Sequence, residues 1–318
     1  MNRHSKHIFG PVPSRRLGLS LGVDIIPFKT CTLDCIYCEV GETDKKTLLR
    51  KEYYPTDEVL AEVFDALQTL GTIDYLTFSG SGEPTLHSGL GVMIDTLKKK
   101  TGIPVCVITN GTLLHLPDVR EDLKQADVVI PSLDAATEEV FLKINRPHPK
   151  LSLSQMIDGM VAFRKQYKGQ LWLEILFAKG INDTDTEIQQ LKAVIERLNP
   201  HKIQLNTVVR PPADSSAEPV DEKRLQEINS FLGGRCEIIG HYSRKCDPQQ
   251  SDIGEDAAIR LLQMRAMTVE GMASALHLPQ GTLARLLQEL ESSGKIIAFW
   301  FEGQQFFRAK ELSSQIYA

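Results

Sequence analysis

The stretch Gly18–Cys38 reads GLSLGVDIIPFKTCTLDCIYC. Its apolar run, Leu19–Ile26, is bounded by Gly18 and Pro27 and has the pattern of a buried strand. It opens directly into Cys31, Cys35 and Cys38, spaced Cys-x-x-x-Cys-x-x-Cys. Further strand patterns lie at Tyr75–Phe78, Pro104–Thr109, Asp127–Ser132, Leu171–Phe177 and Lys202–Asn206. Helical spacing fills the intervals: Asp57–Leu70, Leu90–Lys99, Leu116–Lys124, Thr137–Ile144 with Ser154–Tyr167, and Asp185–Leu198. In the first of these, Val59, Leu60, Val63, Phe64, Leu67 and Leu70 form the stripe of a helix packed on a sheet. Six strand–helix alternations predict an α/β fold with a parallel sheet, because every parallel connection needs a crossover. Whether the sheet curls is left open by the pattern.

After Asn206 the register breaks at Pro211, Pro212 and Pro219. A helix over Asp221–Leu232 follows, then a polar stretch from Gly233 to Gly254 that reads as a linker. Beyond it, Glu255–Met264, Val269–Ala275 and Gln280–Ser292 read as helices, the last two separated by a His277–Leu278–Pro279 turn. Lys295–Phe301 and Gln304–Arg308 read as strands about the Glu302–Gly303 turn. The expected organisation is therefore a domain over 1–232, a linker over 233–254 and a small winged helix-turn-helix over 255–318.

The 318 residues can bury a sizeable core, and 42% hydrophobic with 24% charged residues excludes a mainly disordered chain. No stretch approaches the roughly 18 apolar residues of a membrane span, and the first residues lead into no long apolar segment, so a cytoplasmic location is expected. A net charge of −5 offers no global attraction for nucleic acid. Six cysteines would allow disulfides, but three of them within eight residues read as metal chemistry. A structural zinc would want a fourth ligand, and none lies nearby. A redox dithiol of Cys35 and Cys38 would leave Cys31 unused. An iron–sulfur cubane held by three cysteines, with one iron open to a ligand, fits the loop better.

With Tyr37 immediately before its third cysteine, this loop resembles that of the radical S-adenosylmethionine superfamily, and the likeness extends over about Gly18–Asn206. The resemblance implies a partial (β/α)6 TIM-like barrel, a 4Fe–4S cluster on Cys31, Cys35 and Cys38, and S-adenosylmethionine as second cofactor. It also implies an oxidoreductase chemistry in which reductive cleavage of that molecule gives a 5′-deoxyadenosyl radical that takes hydrogen from a substrate. A low-potential donor such as a flavodoxin or ferredoxin is the implied partner. Gly80, Ser81, Gly82 and Glu83, an ordinary glycine-rich turn if taken alone, are similar to the family's Gly-Gly-Glu motif, which meets the ammonium group. Asn110 and Ser132, each also a plausible cap or turn residue, look like the family's ribose-contacting positions. Tyr37 is carried over as a cofactor contact.

Glu174, Asn206 and Arg210 are further candidates at strand ends, and Arg15 with Arg16 could meet an anionic substrate. The stretch Gly10–Gly41 is similar to the subgroup related to the wybutosine tRNA-modifying enzymes, although this chain has no second three-cysteine set. That likeness makes a tRNA nucleoside the first expected substrate and a peptide or protein side chain the second. The contrary reading is a non-enzymatic iron–sulfur regulator that binds DNA through the C-terminal unit. From Glu255 to Ala318 there are six basic against seven acidic residues, so tight duplex binding by that unit is not expected. Cys106 reads as core; Cys236 and Cys246, flanking His241, read as free thiols.

Overall fold

The computed structural model describes residues 6–14, 16–239, 255–276 and 278–310. The chain opens with an antiparallel pair, β1 (Ile8–Ser14) and β2 (Gly18–Val23). Pro11 and Pro13 cannot donate to a ladder, and β1 accordingly lies at a sheet edge with a bulge between Phe9 and Val12. The short parallel ladder of β3 (Thr30–Cys31) and β4 (Lys45–Lys46) brackets the cysteine loop.

Helices and strands then alternate: α1 (Thr56–Leu67), β5 (Tyr75–Phe78), α2 (Leu90–Thr101), β6 (Val105–Thr109), α3 (Pro117–Leu123) and β7 (Val128–Pro131). Two helices, α4 (Glu138–Asn145) and α5 (Leu153–Gln166), precede β8 (Gln170–Phe177), followed by α6 (Asp185–Leu198), β9 (Lys202–Thr207), α7 (Glu222–Leu232) and β10 (Cys236–Ile238). Three of these helices, α5, α6 and α7, start where a side chain takes an unpaired N–H. Ser152 accepts from Gln155 N at 3.3 Å, Thr184 from Glu187 N at 3.3 Å and Asp221 from Arg224 N at 2.9 Å.

Across the sheet the order is β1-β2-β5-β6-β7-β8-β9-β10, and every pair from β2 onward is parallel. The six expected strands are present, with β1 and β10 added at the edges. β10 falls at residues expected to begin a linker: Cys236–Ile238 pairs with Ile203–Leu205, so α7 is one more crossover helix. Residues 240–254, which include Cys246 and His241, lie outside the described residues.

The sheet is curved. Leu17 packs in one apolar group with Cys106 of β6, Val128 and Ile130 of β7, Tyr75 of β5 and Trp172 of β8. Its neighbour Arg16 reaches Glu174 of β8 and Gln204 of β9. In a flat sheet, β5 and β9 would lie about 19 Å apart at about 4.8 Å per strand. Two adjacent residues span that set only because the strands bend around them. The segment after β1 thus enters the N-terminal end of the lumen, with Leu17 as an apolar stopper. On the outer face, side chains such as Val59, Val63, Leu90, Met93, Ile94, Phe163 and Leu191 form the main core with the buried strand residues.

The C-terminal unit comprises α8 (Glu255–Met264), α9 (Val269–Leu276), α10 (Gln280–Ser292) and an antiparallel hairpin, β11 (Ile296–Phe301) with β12 (Gln304–Ala309). Glu302 and Gly303 turn the hairpin with φ of 46° and 72°, the positive pair that a two-residue type I′ turn requires. Its apolar core, built on Leu261, Leu262, Met272, Leu283, Leu287 and Phe307, also takes in Val12 of β1, with Phe9 against it. Among the described residues no helix is long and apolar enough to cross a membrane.

Phe9 couples the two halves. A Cβ on Gly22 would meet its ring at 2.1 Å. Gly22→Ala should displace the ring and lower stability by about 1–3 kcal/mol, the usual cost of overpacking. In a double-mutant cycle read by chemical denaturation, most of that loss should vanish in a Phe9→Ala background. Additive losses would show that the ring is not the point of contact.

Candidate functional site

Beyond Cys31 the chain leaves the ladder, and its backbone groups find partners elsewhere. Asp34 N donates to the Asn145 carbonyl and Ile36 N to the Ile144 carbonyl, both at 3.0 Å. Those carbonyls end α4, where a helix has acceptors with no intrahelical donor. Lys46 Nζ reaches the Arg146 carbonyl at 2.9 Å, and Arg146, left-handed at φ 44°, pairs with Asp214. Within the loop, Cys38 N donates to the Cys35 carbonyl at 3.1 Å and Gly41 N to the Cys38 carbonyl at 3.2 Å.

The opposite side of the loop rests on Gly80–Glu83. Glu83 N donates to the Thr30 carbonyl at 3.2 Å, and Lys29 N to the Ser81 carbonyl at 2.9 Å. A Cβ on Gly82 would stand 1.9 Å from that same Thr30 oxygen, so glycine is what lets the two backbones meet. Ser81 donates to Asp24 Oδ2 through its hydroxyl and, at 3.0 Å, through its backbone N–H. Burial pushes the Asp24 carboxyl up to about 6. Nothing in the sequence around Asp24 marked this role, which depends on a strand neighbour 57 residues away.

Glu83 is 2% exposed, and its carboxylate is engaged. Oε1 accepts from Thr85 N at 3.0 Å and from the Thr85 and Thr109 hydroxyls at 2.6 Å; Oε2 accepts from Asn110 N at 2.7 Å. Burial raises its pKa, and these donors pull the other way. Asn110 in turn accepts through Oδ1 from Thr112 N and the Thr112 hydroxyl. Its amide donates to Thr32 Oγ1 at 2.7 Å and Cys31 Sγ at 3.4 Å.

A second buried carboxylate, Asp134, stands behind Cys35. Oδ2 accepts from the Tyr37 hydroxyl and from Asn145 Nδ2 at 2.8 Å, while Oδ1 accepts from Leu176 N at 2.9 Å. Asn145 Nδ2 also lies 3.3 Å from Cys35 Sγ. Asn145 went unread in the sequence, where it is indistinguishable from an ordinary helix C-terminal asparagine. Tyr37 points its hydroxyl into this buried group.

The lumen side holds the remaining candidates. Ser132 bridges to Glu174 across the strands, and it follows Ile130, a lumen residue, by two positions, which puts it on the same face. Glu174 pairs with Arg16 at 2.7 Å and accepts from Asn206 Nδ2 at 3.2 Å. Arg15 lies outside the described residues. Arg210 is apart from them: it pairs with Glu39 at 2.6 Å, beside Cys38. Cys106 is fully buried in the lumen floor, and Cys236 sits on edge strand β10.

The loop's chemistry suits an iron–sulfur centre. Its three cysteines are free thiols. Burial, reinforced by Glu83, raises Cys31 to about 12; burial and then Asp134 raise Cys35 well above the ordinary thiol range, and burial raises Cys38. Ligation requires thiolates, and a cationic metal centre offsets the desolvation that here favours the neutral form. Among the described residues no three His, Cys, Asp or Glu side chains gather around one point as a single ion would need. A cluster instead takes one thiolate per iron.

The family model described as the Radical SAM superfamily matches residues 25–191. A UPF0026 protein of Methanocaldococcus jannaschii is 34% identical over 94% of this chain and 94% of its own length. A protein of Brachyspira hyodysenteriae named GTPase Obg is 37% identical over 92% of this chain, which spans only 43% of that longer molecule. Among solved structures, a radical SAM methyltransferase from Sphaerobacter thermophilus shares the fold. It aligns with a TM-score of 0.56 and 17% identity, covering 71% of this chain and 67% of its own. The chain belongs to the radical SAM superfamily, whose cofactors are a 4Fe–4S cluster and S-adenosylmethionine, and within it stands with the UPF0026 proteins.

Proposed function

We propose that the chain is an enzyme in which Cys31, Cys35 and Cys38 hold the cluster, and Gly80–Glu83, Asn110, Ser132 and Tyr37 form the cradle for S-adenosylmethionine. The observation that carries this reading is the cysteine loop clamped between the α4 terminus and Gly82, with Asn110 bridging it to Glu83. When bound, the two cofactors supply reductive cleavage of a sulfonium to methionine and a 5′-deoxyadenosyl radical, which abstracts hydrogen from the substrate. The chain's own residues do the rest. Glu83 fixes the Asn110 backbone and the Thr109 hydroxyl, which sets where Asn110 and its neighbours face a nucleoside. The turn Gly80–Glu83 offers backbone carbonyls to an ammonium group, the Ser81 carbonyl already accepting from Lys29 N at 2.9 Å. Ser132, Glu174 and Asn206 present polar groups to the lumen, while Leu17 keeps water from entering at its far end.

In this reading residues 255–310 are a winged helix-turn-helix that presents or gates the substrate. A cleft of about 920 Å³ lies between the hairpin tip at Phe301 and Glu302 and barrel residues including Lys179, Pro212 and Asp221. A smaller one, about 200 Å³, separates Arg308 from Lys29 and Cys38. Trp300, 72% exposed, offers a stacking face on the same hairpin. The wybutosine-related likeness makes a tRNA nucleoside the first substrate proposed, ahead of a peptide or protein side chain. A flavodoxin or ferredoxin would supply the electron.

The anaerobically reconstituted, dithionite-reduced protein should form 5′-deoxyadenosine, and Cys31→Ala, Cys35→Ala or Cys38→Ala should each abolish it. Tightly bound zinc without iron in anaerobically purified protein would sink the assignment.

Glu83→Ala should leave iron content intact but weaken S-adenosylmethionine binding. It should also lower stability by about 1–3 kcal/mol, because buried donors lose their acceptor. Equilibrium dialysis and denaturation under argon measure the two effects; an unchanged affinity would remove Glu83 from the cradle.

The full chain should bind random duplex DNA weakly at physiological ionic strength, since its net charge of −5 gives little counterion release. Submicromolar affinity with a steep salt slope would favour the regulator instead.

A further inference from the structure

We propose that Asn145 and Asn110 set the reduction potential of the iron–sulfur centre, each by donating one amide hydrogen to a cysteine sulfur. The inference rests on the reading that Cys31, Cys35 and Cys38 are the ligands. Asn145 Nδ2 lies 3.3 Å from Cys35 Sγ, and Asn110 Nδ2 lies 3.4 Å from Cys31 Sγ. Both contacts connect residues distant in sequence, 110 and 79 positions apart.

In both amides the remaining partners decide which end faces the sulfur. The second hydrogen of Asn145 goes to Asp134 Oδ2 at 2.8 Å, and only the nitrogen end can face a carboxylate. Asn110 uses its second hydrogen on Thr32 Oγ1 at 2.7 Å, while its Oδ1 accepts from the Thr112 N–H at 3.1 Å and hydroxyl at 2.7 Å. Each amide is in turn anchored to a buried acid. Asn145 bonds Asp134 directly, and the backbone N–H of Asn110 bonds Glu83. Among the described residues no side chain donates to Cys38 Sγ, whose donors are the Val40 and Gly41 backbone N–H groups, so the side-chain amides act on Cys35 and Cys31 alone.

One-electron reduction adds negative charge that the thiolate sulfurs share. A neutral N–H donor stabilises the more negative state more strongly and raises the potential. Buried carboxylates act in the opposite sense. The Asn145 amide stands between Cys35 and Asp134 and presents hydrogen, not carboxylate oxygen, to the sulfur. Asn145 is a positioning and tuning residue, distinct from the ligands. Its backbone carbonyl, which holds Asp34 N, is independent of its side chain, so removing the amide leaves the loop's main-chain bonds in place.

The test is an EPR-monitored redox titration of full-length Asn145→Ala, reconstituted anaerobically and without S-adenosylmethionine, alongside iron and sulfide analysis. The reduced-to-oxidised ratio at a fixed solution potential should fall about threefold to tenfold, tenfold being 59 mV for one electron. A complete cluster with an unmoved midpoint would overturn the proposal. A wild-type protein that binds no iron would overturn the underlying ligand assignment instead. If the variant loses iron, pulsed EPR of reduced wild-type protein carrying 15N in its asparagine side-chain amides decides. A 15N coupling to the centre is expected, and its absence overturns the proposal.

Discussion

The carbonyls at the end of α4 need donors, and the cysteine loop needs acceptors. Most of the site follows from their meeting. Beyond Cys31 the eight-residue stretch that carries the three thiols forms neither helix nor ladder, so N–H groups such as those of Asp34 and Ile36 are satisfied from outside it. Ile144 and Asn145 supply that satisfaction on one side, and the Thr30 carbonyl ties the loop to Glu83 on the other. Gly82 is the condition for the second contact, because any side chain there would occupy the space of the Thr30 oxygen. The loop is thus shaped by neighbours that are themselves locked to the sheet.

Two buried carboxylates organise the surroundings. Glu83 collects donors from three residues of two strand ends, and Asp134 ties the loop's Tyr37 to α4 and β8. Both are destabilised by burial. Both are retained in a network where every neighbouring donor would otherwise be unpaired, and the cost of unpaired donors is comparable to the gain from burial itself. Such carboxylates act first as scaffolding.

Much of this was legible in the sequence. The apolar runs of β2 and β5 to β9 announce themselves, as do the helical stripes between them and the Glu302–Gly303 turn. The cysteine spacing pointed to metal chemistry because few other uses require three thiols so close, and the family's cofactors include a 4Fe–4S cluster. Less visible were β1, whose prolines argue against a strand unless it is known to lie at an edge, and β10, whose three residues carry little apolar signal. The pairings of Asp24 with Ser81, Arg16 with Glu174 and Asn145 with Cys35 span 57, 158 and 110 residues. Contacts of that range are decided by how the sheet curves, and no local periodicity encodes them.

Leu17 and Arg16 fill the N-terminal end of the curved sheet, and β1 and β10 remain its two separate edges. The opening at the C-terminal ends of the strands lies on the face where the cysteine loop stands, and Arg308 of the hairpin approaches Cys38 there. A polymer too wide for the lumen can offer only a protruding side group, with the rest of its length resting on the rim. Traffic through that opening, and not only chemistry inside it, then has a say in which molecules qualify.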